Sequence, residues 1–315
     1  MVGKVLVTGG STGFLGTNFT LALLQKGFSV LTISRHTKNS YLQSLPNLEE
    51  LVADLRTEGI PAGIDYVIHC ASHTSGAKEV IENPTALVLP NLLINSNVLD
   101  AAANSGVKKF ALISSSTVYS DINLPISEQM GFTGDPLDIH FGVGWMKRYS
   151  EKLSEFYYKR YGMEILVVRP SNIYGPYSEF DVERAHVIPA LINKFLSGRS
   201  VVEVWGSPDV SRDFIYIDDF VERVLLLFEV FSGFEVFNVA SGNIYTIGEV
   251  VDLIKELTNF QGEVAYNSNR PTTFTKKVLD ISKAESVIGA RDITSLKKGL
   301  EQTINWFKEN CRGLK

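Results

Sequence analysis

A glycine-rich segment near the start of the chain has the residue types and the spacing of a phosphate-binding loop. Gly10, Gly13 and Gly16 satisfy the pattern G-x-x-G-x-x-G between a predicted strand and a predicted helix. Binding a pyrophosphate in this way requires a sharp turn, a close backbone approach and tight helix–strand packing, and glycine permits all three. An ordinary turn would explain the glycines but not their flanking elements. The segment therefore predicts a site for a nicotinamide dinucleotide, NAD or NADP, lined by Gly10, Ser11, Thr12, Gly13, Phe14 and Leu15.

The end of the second predicted strand favours NADP over NAD. An acid about twenty residues beyond the glycines typically binds the ribose hydroxyls of NAD. This sequence instead has Arg35 there, with Lys38 close by. An arginine can hold a 2′-phosphate through two parallel hydrogen bonds, and Ser11 and Thr12 can add hydroxyl donors. The alternative is that Arg35 stacks on the adenine or faces solvent.

Strand and helix patterns alternate through the first half of the chain. Short β-branched runs predict strands at 4–8, 30–34, 50–54, 65–70, 110–114 and 165–169. Helical periodicity predicts helices at 14–26, 90–105 and 144–161. The alternation predicts an α/β fold, a Rossmann-type doubly wound parallel sheet with helices on both faces. Asp54 and Leu55, after the third strand, would then lie beside the adenine.

After Pro170 the alternation becomes less regular. Strands are predicted at 201–205, 213–217 and 234–239, and helices at 187–196, 218–231, 246–258 and 295–310. This segment predicts a smaller α/β lobe over the carboxyl ends of the sheet strands, where such sheets bind ligands. We therefore expect a dinucleotide-binding domain over residues 1–170 and a substrate-binding lobe over 171–315, with crossovers between the two.

Composition argues against several classes of partner. The net charge is −5 and no long basic run occurs, which argues against binding to nucleic acid or an anionic membrane. No uninterrupted run of about 18 apolar residues predicts a membrane span, and the N-terminal residues lack a signal-peptide pattern. The two cysteines, Cys70 and Cys311, have no metal-binding spacing and predict neither a disulfide framework nor a zinc site. We expect a cytoplasmic protein without a metal.

Six motifs together carry a family resemblance that covers nearly the whole chain. They are the segments 8–16, 69–72 and 114–119, Lys147-x-x-x-Glu151, and the segments 169–176 and 212–215. The combination resembles the extended short-chain dehydrogenase/reductases that act on nucleotide sugars. Within that family the likeness is closest to GDP-fucose synthase and related GDP-sugar enzymes. That closer likeness rests on the segments 186–191, 204–207, 270–271 and 277–280.

The resemblance implies an enzyme that transfers hydride at C4 of a nucleotide-activated sugar, with a GDP-sugar favoured. It assigns catalytic roles to Ser115, Lys147, His186 and Thr117. It adds Cys70, Ala71, Ser72, Lys147 and Pro170 to the cofactor site. It implies substrate contacts from Ser115, Ser116, Asn172, His186, Val187, Trp205, Arg212 and Arg270. The alternatives are a strand-end cap for Ser115, a surface position for His186 and a core position for Trp205.

The glycine loop departs from the family pattern by one residue. Gly9 follows Thr8 where the first motif glycine usually stands, and the strict spacing begins only at Gly10. The loop is therefore expected to be one residue longer than usual.

A second departure concerns the catalytic signature Tyr-x-x-x-Lys. Lys147 matches its lysine, but Val143 stands at the tyrosine position and cannot exchange a proton. General acid–base catalysis is worth roughly 10²–10⁴-fold in rate, so the loss is serious but leaves positioning and electrostatics in place. Ser115, a desolvated Lys147 and His186 are the candidates to replace the phenol. Thr117 stands where the related synthases have an epimerising cysteine, which favours simple redox chemistry over epimerisation or dehydration.

The alternative function of another class is a catalytically silent redox sensor or scaffold, although such a protein would not need Ser115, Lys147 or Arg212.

The resemblance also implies a homodimer built as a four-helix bundle from the helices predicted at 90–105 and 144–161. A helix needs one buried face in any case, so their apolar residues can equally face the sheet. These residues are Leu92, Leu93, Val98, Leu99, Leu153, Phe156 and Tyr157.

Overall fold

The computed structural model of the chain describes residues 3–36, 42–43, 45–74, 83–122, 125–268 and 278–311. Within these residues the strands are β1 Lys4–Thr8, β2 Ser29–Ser34, β3 Leu48–Val52, β4 Tyr66–His69, β5 Lys109–Ile113, β6 Glu164–Pro170, β7 Asn172–Tyr174, β8 Val201–Trp205, β9 Ser211–Tyr216, β10 Phe234–Val239, β11 Ile244–Thr246 and β12 Glu263–Asn267. The α-helices are α1 Phe14–Gln25, α2 Leu89–Asn104, α3 Phe141–Tyr161, α4 Val187–Leu196, α5 Ile217–Val230, α6 Ile247–Thr258, α7 Ser282–Ile288 and α8 Leu296–Asn310.

Seven strands form one parallel sheet in the order β3-β2-β1-β4-β5-β6-β10. The predicted doubly wound parallel sheet is therefore confirmed. The strand order reverses between β1 and β4, and ligands of such sheets bind in the crevice at that reversal. The segments that follow β1, β4 and β5 all leave this edge of the sheet.

Side-chain alternation along the strands divides the core between the two faces of the sheet. In β1, Val5 and Val7 belong to the cluster that includes Phe19 of α1, whereas Leu6 belongs to the cluster that includes Val98 of α2. Successive side chains of a strand point to opposite faces, so fully buried runs such as this one need helices on both sides. Helices α2 and α3 cover one face, while α1 and α5 cover the other.

The chain beyond residue 170 builds two small sheets and also returns to the main one. Strands β11, β9 and β7 form a three-stranded sheet, and β12 pairs with β8. Strand β10 instead lies parallel to β6 at the end of the main sheet, with Val236 opposite Val167. The division into two domains at residue 170 stays a prediction. Strand β10 crosses from the predicted second domain back to the main sheet, and the sequence did not indicate where such a crossover lies.

Some element boundaries differ from the predicted ones. Strand β3 spans Leu48–Val52, two residues before the predicted position, and its residues are largely exposed because it is the edge strand. The short elements β7, β11, β12 and α7 were not predicted. Strands β7 and β11 have three residues each, which carry too little alternation to be detected from sequence.

One segment among the described residues, Thr85–Asn104, is long and apolar enough to cross a membrane by length and composition alone, with a mean hydropathy of 1.3. Its apolar residues include Ile94, Val98 and Leu99, which pack into the core beneath the sheet. Asn91 and Asn95 on the same helix are buried and hydrogen-bonded within the protein. The packing accounts for the composition, because a helix with one face on a sheet requires an apolar side.

Candidate active site

The glycine loop folds around the Gly9 carbonyl group. That oxygen accepts a hydrogen bond from the Gly13 N–H at 3.1 Å, while the Gly9 N–H donates to Ile33 of β2 at 2.6 Å. A Cβ added at Gly13 would lie 2.8 Å from the same oxygen, and one at Gly16 would overlap it. Gly13 is the N-cap residue of α1, whose first N–H groups have no partners within the helix. The loop therefore leaves backbone donors and a helix N-terminus at the carboxyl edge of the sheet.

Ser11 of the glycine loop turns inward. Gly9 takes a φ of +70° that favours glycine. The Ser11 hydroxyl is buried and lies 2.6 Å from the Thr32 hydroxyl, and the Ser11 N–H donates to Ser34. Thr12 is exposed. The structure therefore does not support the expected contact between the Ser11 hydroxyl and a 2′-phosphate, because this hydroxyl is buried and hydrogen-bonded to Thr32.

Arg35 lies exposed immediately after β2, at the end of the crevice expected to hold adenosine. Arg56 donates to Asp54 through Nε at 2.9 Å and through Nη2 at 2.5 Å. These bonds, with a smaller contribution from the Arg35 charge, lower the pKa of Asp54 to about 2. Leu55 is buried beside this pair. The Asp54 carboxylate is thus ionised and paired with Arg56.

The segment after β4 is held from below by a buried asparagine. Asn91 of α2 accepts hydrogen bonds from the Ser72 hydroxyl at 2.9 Å and the His73 N–H at 2.7 Å, and it donates to the His73 carbonyl at 2.8 Å. Burial raises the pKa of the Cys70 thiol, so this cysteine stays a protonated, inert side chain. Hydrogen bonds thus fix the segment after β4 beside the glycine loop, on the other side of the point where the strand order reverses. We call its residues Cys70, Ala71 and Ser72 the 70–72 shelf.

A short 3₁₀ turn, Ser116–Val118, follows β5. The Ser115 oxygen accepts hydrogen bonds from the Thr117 N–H at 3.1 Å and from the Thr117 hydroxyl at 3.0 Å. Ser115 thus caps the 3₁₀ turn. Its own hydroxyl hydrogen is not used in those two bonds, so capping leaves it able to donate to a substrate oxygen. Ser116 and Thr117 are half-buried beside it.

Helix α3 brings Val143 and Lys147 to this turn. A Cβ added at Gly144 would lie 2.6 Å from the Thr117 carbonyl oxygen, so only glycine allows this approach. Val143 is half-buried in the first turn, one helical turn before Lys147. Lys147 is buried, and its Nζ donates to the Ile113 carbonyl of β5 at 2.9 Å. Desolvation lowers the Lys147 pKa to about 8, close to the range in which it can both give and take a proton.

A buried ion pair fixes α3 to the sheet one turn further along. Glu151 and Arg169 are both 2% exposed, and Arg169 bonds both carboxylate oxygens at 3.0 and 2.5 Å. The Ser114 hydroxyl donates to the same carboxylate at 2.5 Å, and Arg169 also donates to the Tyr119 hydroxyl at 3.0 Å. Because Glu151 follows Lys147 by one turn, this network sets where Lys147 lies relative to β5.

A buried aspartate joins the segments that follow β6 and β10. Asp213 of β9 accepts bonds from the Ser171 hydroxyl at 2.9 Å and from the Gly242 N–H at 3.0 Å. Asn172 donates to the Asp213 carbonyl at 2.9 Å, which ties β7 to β9. The neighbouring Arg212 is half-buried, and desolvation lowers its pKa to about 10, so it remains cationic at neutral pH. This arrangement places Asn172 and Arg212 on adjacent strands, and their role as a diphosphate clamp stays a prediction.

The remaining predicted residues are more scattered. His186 is the exposed N-cap residue of α4. Val187 packs against the core. Trp205 is half-buried at the end of β8, where its indole donates to Glu203 at 3.2 Å and Lys194 lies 5.4 Å above its ring. Pro170 ends β6 beside Val239 of β10, and Arg270 lies outside the described residues.

Sequence reasoning assigned no positioning role to the asparagines and the aspartate that hold these segments in place, although Asp213 lies in the 212–215 motif. Asn91, Asn95, Asp213 and Asn238 are all buried, and each bonds groups that are distant in sequence. The available signal was polar residues within otherwise apolar strand or helix patterns. Buried polar groups are nearly always hydrogen-bonded, so such positions indicate a long-range partner without naming it.

Comparisons with known proteins agree with this architecture. The chain is 32% identical over 316 residues to a protein named "Probable GDP-L-fucose synthase 1" from Oryza sativa subsp. japonica, covering 98% of this chain and 93% of that protein. It superposes on the UDP-glucose 4-epimerase of Thermotoga maritima, solved with UDP-glucose, with a TM-score of 0.85, 26% identity and coverage of 98% and 99% of the two chains. For MoeE5 in complex with UDP-glucose and NAD, the TM-score is 0.83, the identity 27% and the coverage 98% and 100%.

The family resemblance predicted from the motifs is thereby confirmed. Residues 5–240, which include the glycine loop, the Ser115 turn, Lys147 and Arg212, match the family described as "NAD dependent epimerase/dehydratase family". The match extends over more than half of the chain, from the second residue of β1 to the end of β10, and so reaches all seven strands of the parallel sheet. The chain belongs to the NAD-dependent epimerase/dehydratase family.

Proposed function

We propose that this protein is an oxidoreductase that transfers hydride at C4 of a nucleotide-activated sugar, a GDP-sugar by preference, with a nicotinamide dinucleotide as cofactor. The observation that carries the proposal is the position of Lys147. Its buried amine is anchored on Ile113, between the segment after β4 and the Ser115 turn, and has a lowered pKa. A lysine so placed suits proton transfer beside a cationic ring.

The residues of the loop fit a dinucleotide. The crowded glycines around the Gly9 carbonyl leave no room for side chains, and the N-terminus of α1 suits a pyrophosphate. When bound, the nicotinamide supplies or accepts the hydride. The loop and the 70–72 shelf would hold the two halves of the cofactor, and Lys147 would face its nicotinamide ribose.

The proton at the sugar oxygen is assigned to Ser115 and Lys147 acting in place of a phenol. Ser115 keeps a hydroxyl hydrogen for a substrate oxygen, since Thr117 donates both bonds within the turn. Lys147 supplies or removes the net proton, because its amine exchanges protons near neutral pH. Arg212 and Asn172 would bind the diphosphate, since a guanidinium matches phosphate geometry.

The proposal is tested by incubating the purified protein with GDP-, UDP- and dTDP-sugars, and their 4-keto forms, in the presence of NAD(H) or NADP(H). We expect a change in the absorbance of the reduced nicotinamide with GDP-sugars. Tight dinucleotide binding without hydride transfer to or from any sugar would instead support the silent sensor or scaffold. Formation of a C4-epimer without net change in absorbance would support an epimerase, the activity named for the Thermotoga maritima structure.

NADP is the proposed dinucleotide, and Arg35 is the residue proposed to select it. Replacing Arg35 with Ala is expected to weaken NADPH binding by roughly 10- to 100-fold, because charge-assisted bonds to the 2′-phosphate are lost. NADH binding is expected to change less than about twofold. Isothermal titration of both cofactors checks this, with His36→Ala as the exposed neighbouring control. Equal losses for both cofactors would refute the assignment.

Homodimerisation through α2 and α3 is also proposed. The two helices bury Val98, Leu99 and Tyr157 in the core but leave other apolar side chains in solvent. The exposed set is Leu89, Leu93, Phe141, Trp145, Tyr149, Phe156 and Tyr161. Exposed apolar surface of this extent on two neighbouring helices is typical of an interface.

Replacing both Tyr149 and Phe156 with Asp is expected to convert a dimer into a monomer, because buried charges oppose association. Val230→Asp is the control, since Val230 is equally exposed, at 56% compared with 55% for Phe156, but lies on α5. Analytical ultracentrifugation measures the outcome, and a monomeric parent protein would contradict the proposal. A cytoplasmic location is part of the same proposal, and recovery of the protein in the membrane fraction would contradict that part.

A further inference from the structure

A chain of buried hydrogen bonds connects the glycine loop with α3. Thr8, the last residue of β1, lies 2.8 Å from His69 Nδ1, and its oxygen accepts the N–H groups of Cys70 at 3.1 Å and Ala71 at 3.0 Å. His69 Nε2 lies 3.0 Å from Asn95 Oδ1 of α2. Asn95 then donates to Ser150 of α3 at 2.9 Å, whose hydroxyl donates to the Met146 carbonyl at 3.0 Å.

The direction of every bond in this chain is fixed. The Thr8 oxygen already accepts two backbone N–H groups, so its own hydrogen must go to His69 Nδ1. Nδ1 is therefore the unprotonated nitrogen, and Nε2–H donates to Asn95 Oδ1. That choice leaves the Asn95 amide to donate onward to Ser150. His69 is thus neutral and protonated on Nε2.

Burial supports the neutral state. His69 is 2% exposed, and desolvation lowers its pKa to about 4. The neighbours packed around it are Thr8 from β1, Phe110 from β5, Asn95 from α2 and, as the charged group, Lys147 from α3. The positive charge of Lys147 lowers the pKa further, so the imidazole stays neutral across the physiological range.

The chain is not a route for protons. Its two ends are backbone groups, the N–H groups of Cys70 and Ala71 and the carbonyl of Met146, and neither end can take up or release a proton. What it does connect is the dinucleotide side of β1 and β4 with the residue that precedes Lys147.

We propose that His69, through this one-directional chain, is a positioning residue that sets the 70–72 shelf and Lys147 at a fixed separation around the nicotinamide end of the cofactor. The inference rests on the dinucleotide-binding part of the proposed function but not on the identity of the sugar. A protonated His69 would present a third donor to the Thr8 oxygen, which has only two lone pairs, and would release the shelf.

The first test compares Thr8→Val with Thr8→Ser. Valine is the same shape but lacks the hydroxyl, leaving the two N–H groups and Nδ1 without their partner. We expect Thr8→Val to weaken NADPH and NADH binding alike by about tenfold or more, and Thr8→Ser by less than about threefold. If Thr8→Val lowers the melting temperature but binds both cofactors like the parent protein, the chain is only structural and the proposal is wrong.

The second test makes the same site sensitive to pH. In Asn95→Asp, a carboxylate faces Nε2 and raises the pKa of His69, because it stabilises the imidazolium. The ratio of the variant's dissociation constant for NADH to that of the parent protein is then expected to rise at least fivefold between about pH 8 and pH 5.5. Taking the ratio cancels titrations shared by both proteins. A ratio that stays constant over this range overturns the proposal.

The third test needs no cofactor. Nitrogen-15 NMR of the parent protein should show one of its five histidines neutral, with a protonated Nε2 and an unprotonated Nδ1, over the same pH range. A His69→Gln variant assigns the signal. The opposite tautomer, or titration near neutral pH, would refute the bond directions. Cofactor binding that responds as described, without turnover of any nucleotide sugar, would leave this inference standing while the proposed reaction fails.

Discussion

Replacing Lys147 with Met is expected to lower kcat/KM for the nucleotide sugar by roughly 10²–10⁴-fold, the range associated with loss of a general acid or base. Methionine fills similar space but cannot exchange a proton or bond the Ile113 carbonyl that Lys147 contacts. The fold should persist, because α3 remains anchored by the Glu151–Arg169 pair. Single-turnover measurement of hydride transfer separates this loss from any weakening of cofactor binding.

The role of Lys147 also predicts how kcat/KM changes with pH in each direction of the reaction. Lys147 has a pKa lowered to about 8, so it is protonated below that pH and neutral above it. In the reductive direction, where the sugar oxygen gains a proton, kcat/KM is expected to be constant at lower pH and to fall above about pH 8. In the oxidative direction it should rise through the same range.

Two variants serve as controls for Lys147. Lys147→Arg keeps the positive charge, but an arginine does not give up a proton in proteins. This variant should therefore bind the cofactor but lose turnover, and its residual kcat/KM should no longer change near pH 8. Lys159→Met removes an exposed lysine that pairs with Glu155 near the end of the same helix and should leave activity unchanged. Full activity in Lys147→Met would exclude Lys147 as the proton-transfer group.

The second large effect is expected from Val143→Tyr, with a rise in kcat/KM of about 10²-fold, the lower end of the acid–base range. Val143 lies one turn before Lys147 and beside the Gly144 contact with Thr117, so a phenol there would face the Ser115 turn. Lys147 would then lower the phenol pKa, as a neighbouring cation does. We expect a gain in kcat/KM at the lower end of that range because the first turn of α3 is half-buried and its neighbours must move to accommodate the tyrosine ring.

Steady-state kinetics with the same GDP-sugar measures this gain, and Val143→Phe is the matched control. Phenylalanine has the bulk of tyrosine without its hydroxyl, so a rise in Val143→Tyr alone identifies the proton donor. A fall in both variants would mean that the pocket is built around valine and that Ser115 and Lys147 already supply the complete proton path.

Much of the fold could be predicted because its signals are local. The apolar runs of β1, β5 and β6 and the helical period of α1 follow directly from burial on one or both faces. The three short strands β7, β11 and β12 and the return of β10 to the main sheet depend instead on pairing between distant segments. No local pattern distinguishes a buried strand of one sheet from a buried strand of another.

The candidate site divides in the same way. The sequence by itself determined the loop at residues 8–16, because only glycine tolerates the crowding around the Gly9 carbonyl, and it located Ser115, Lys147 and Arg212 by their motifs. Tertiary structure decided that the Ser11 hydroxyl turns inward. Tertiary structure also decided which apolar residues of α2 and α3 remain exposed, and joined Thr8 to Ser150 through His69 and Asn95. The spacing of residues along the chain determines the local conformation of one segment. Burial and long-range hydrogen bonds depend on how separate segments pack together, so they are decided only in the tertiary structure.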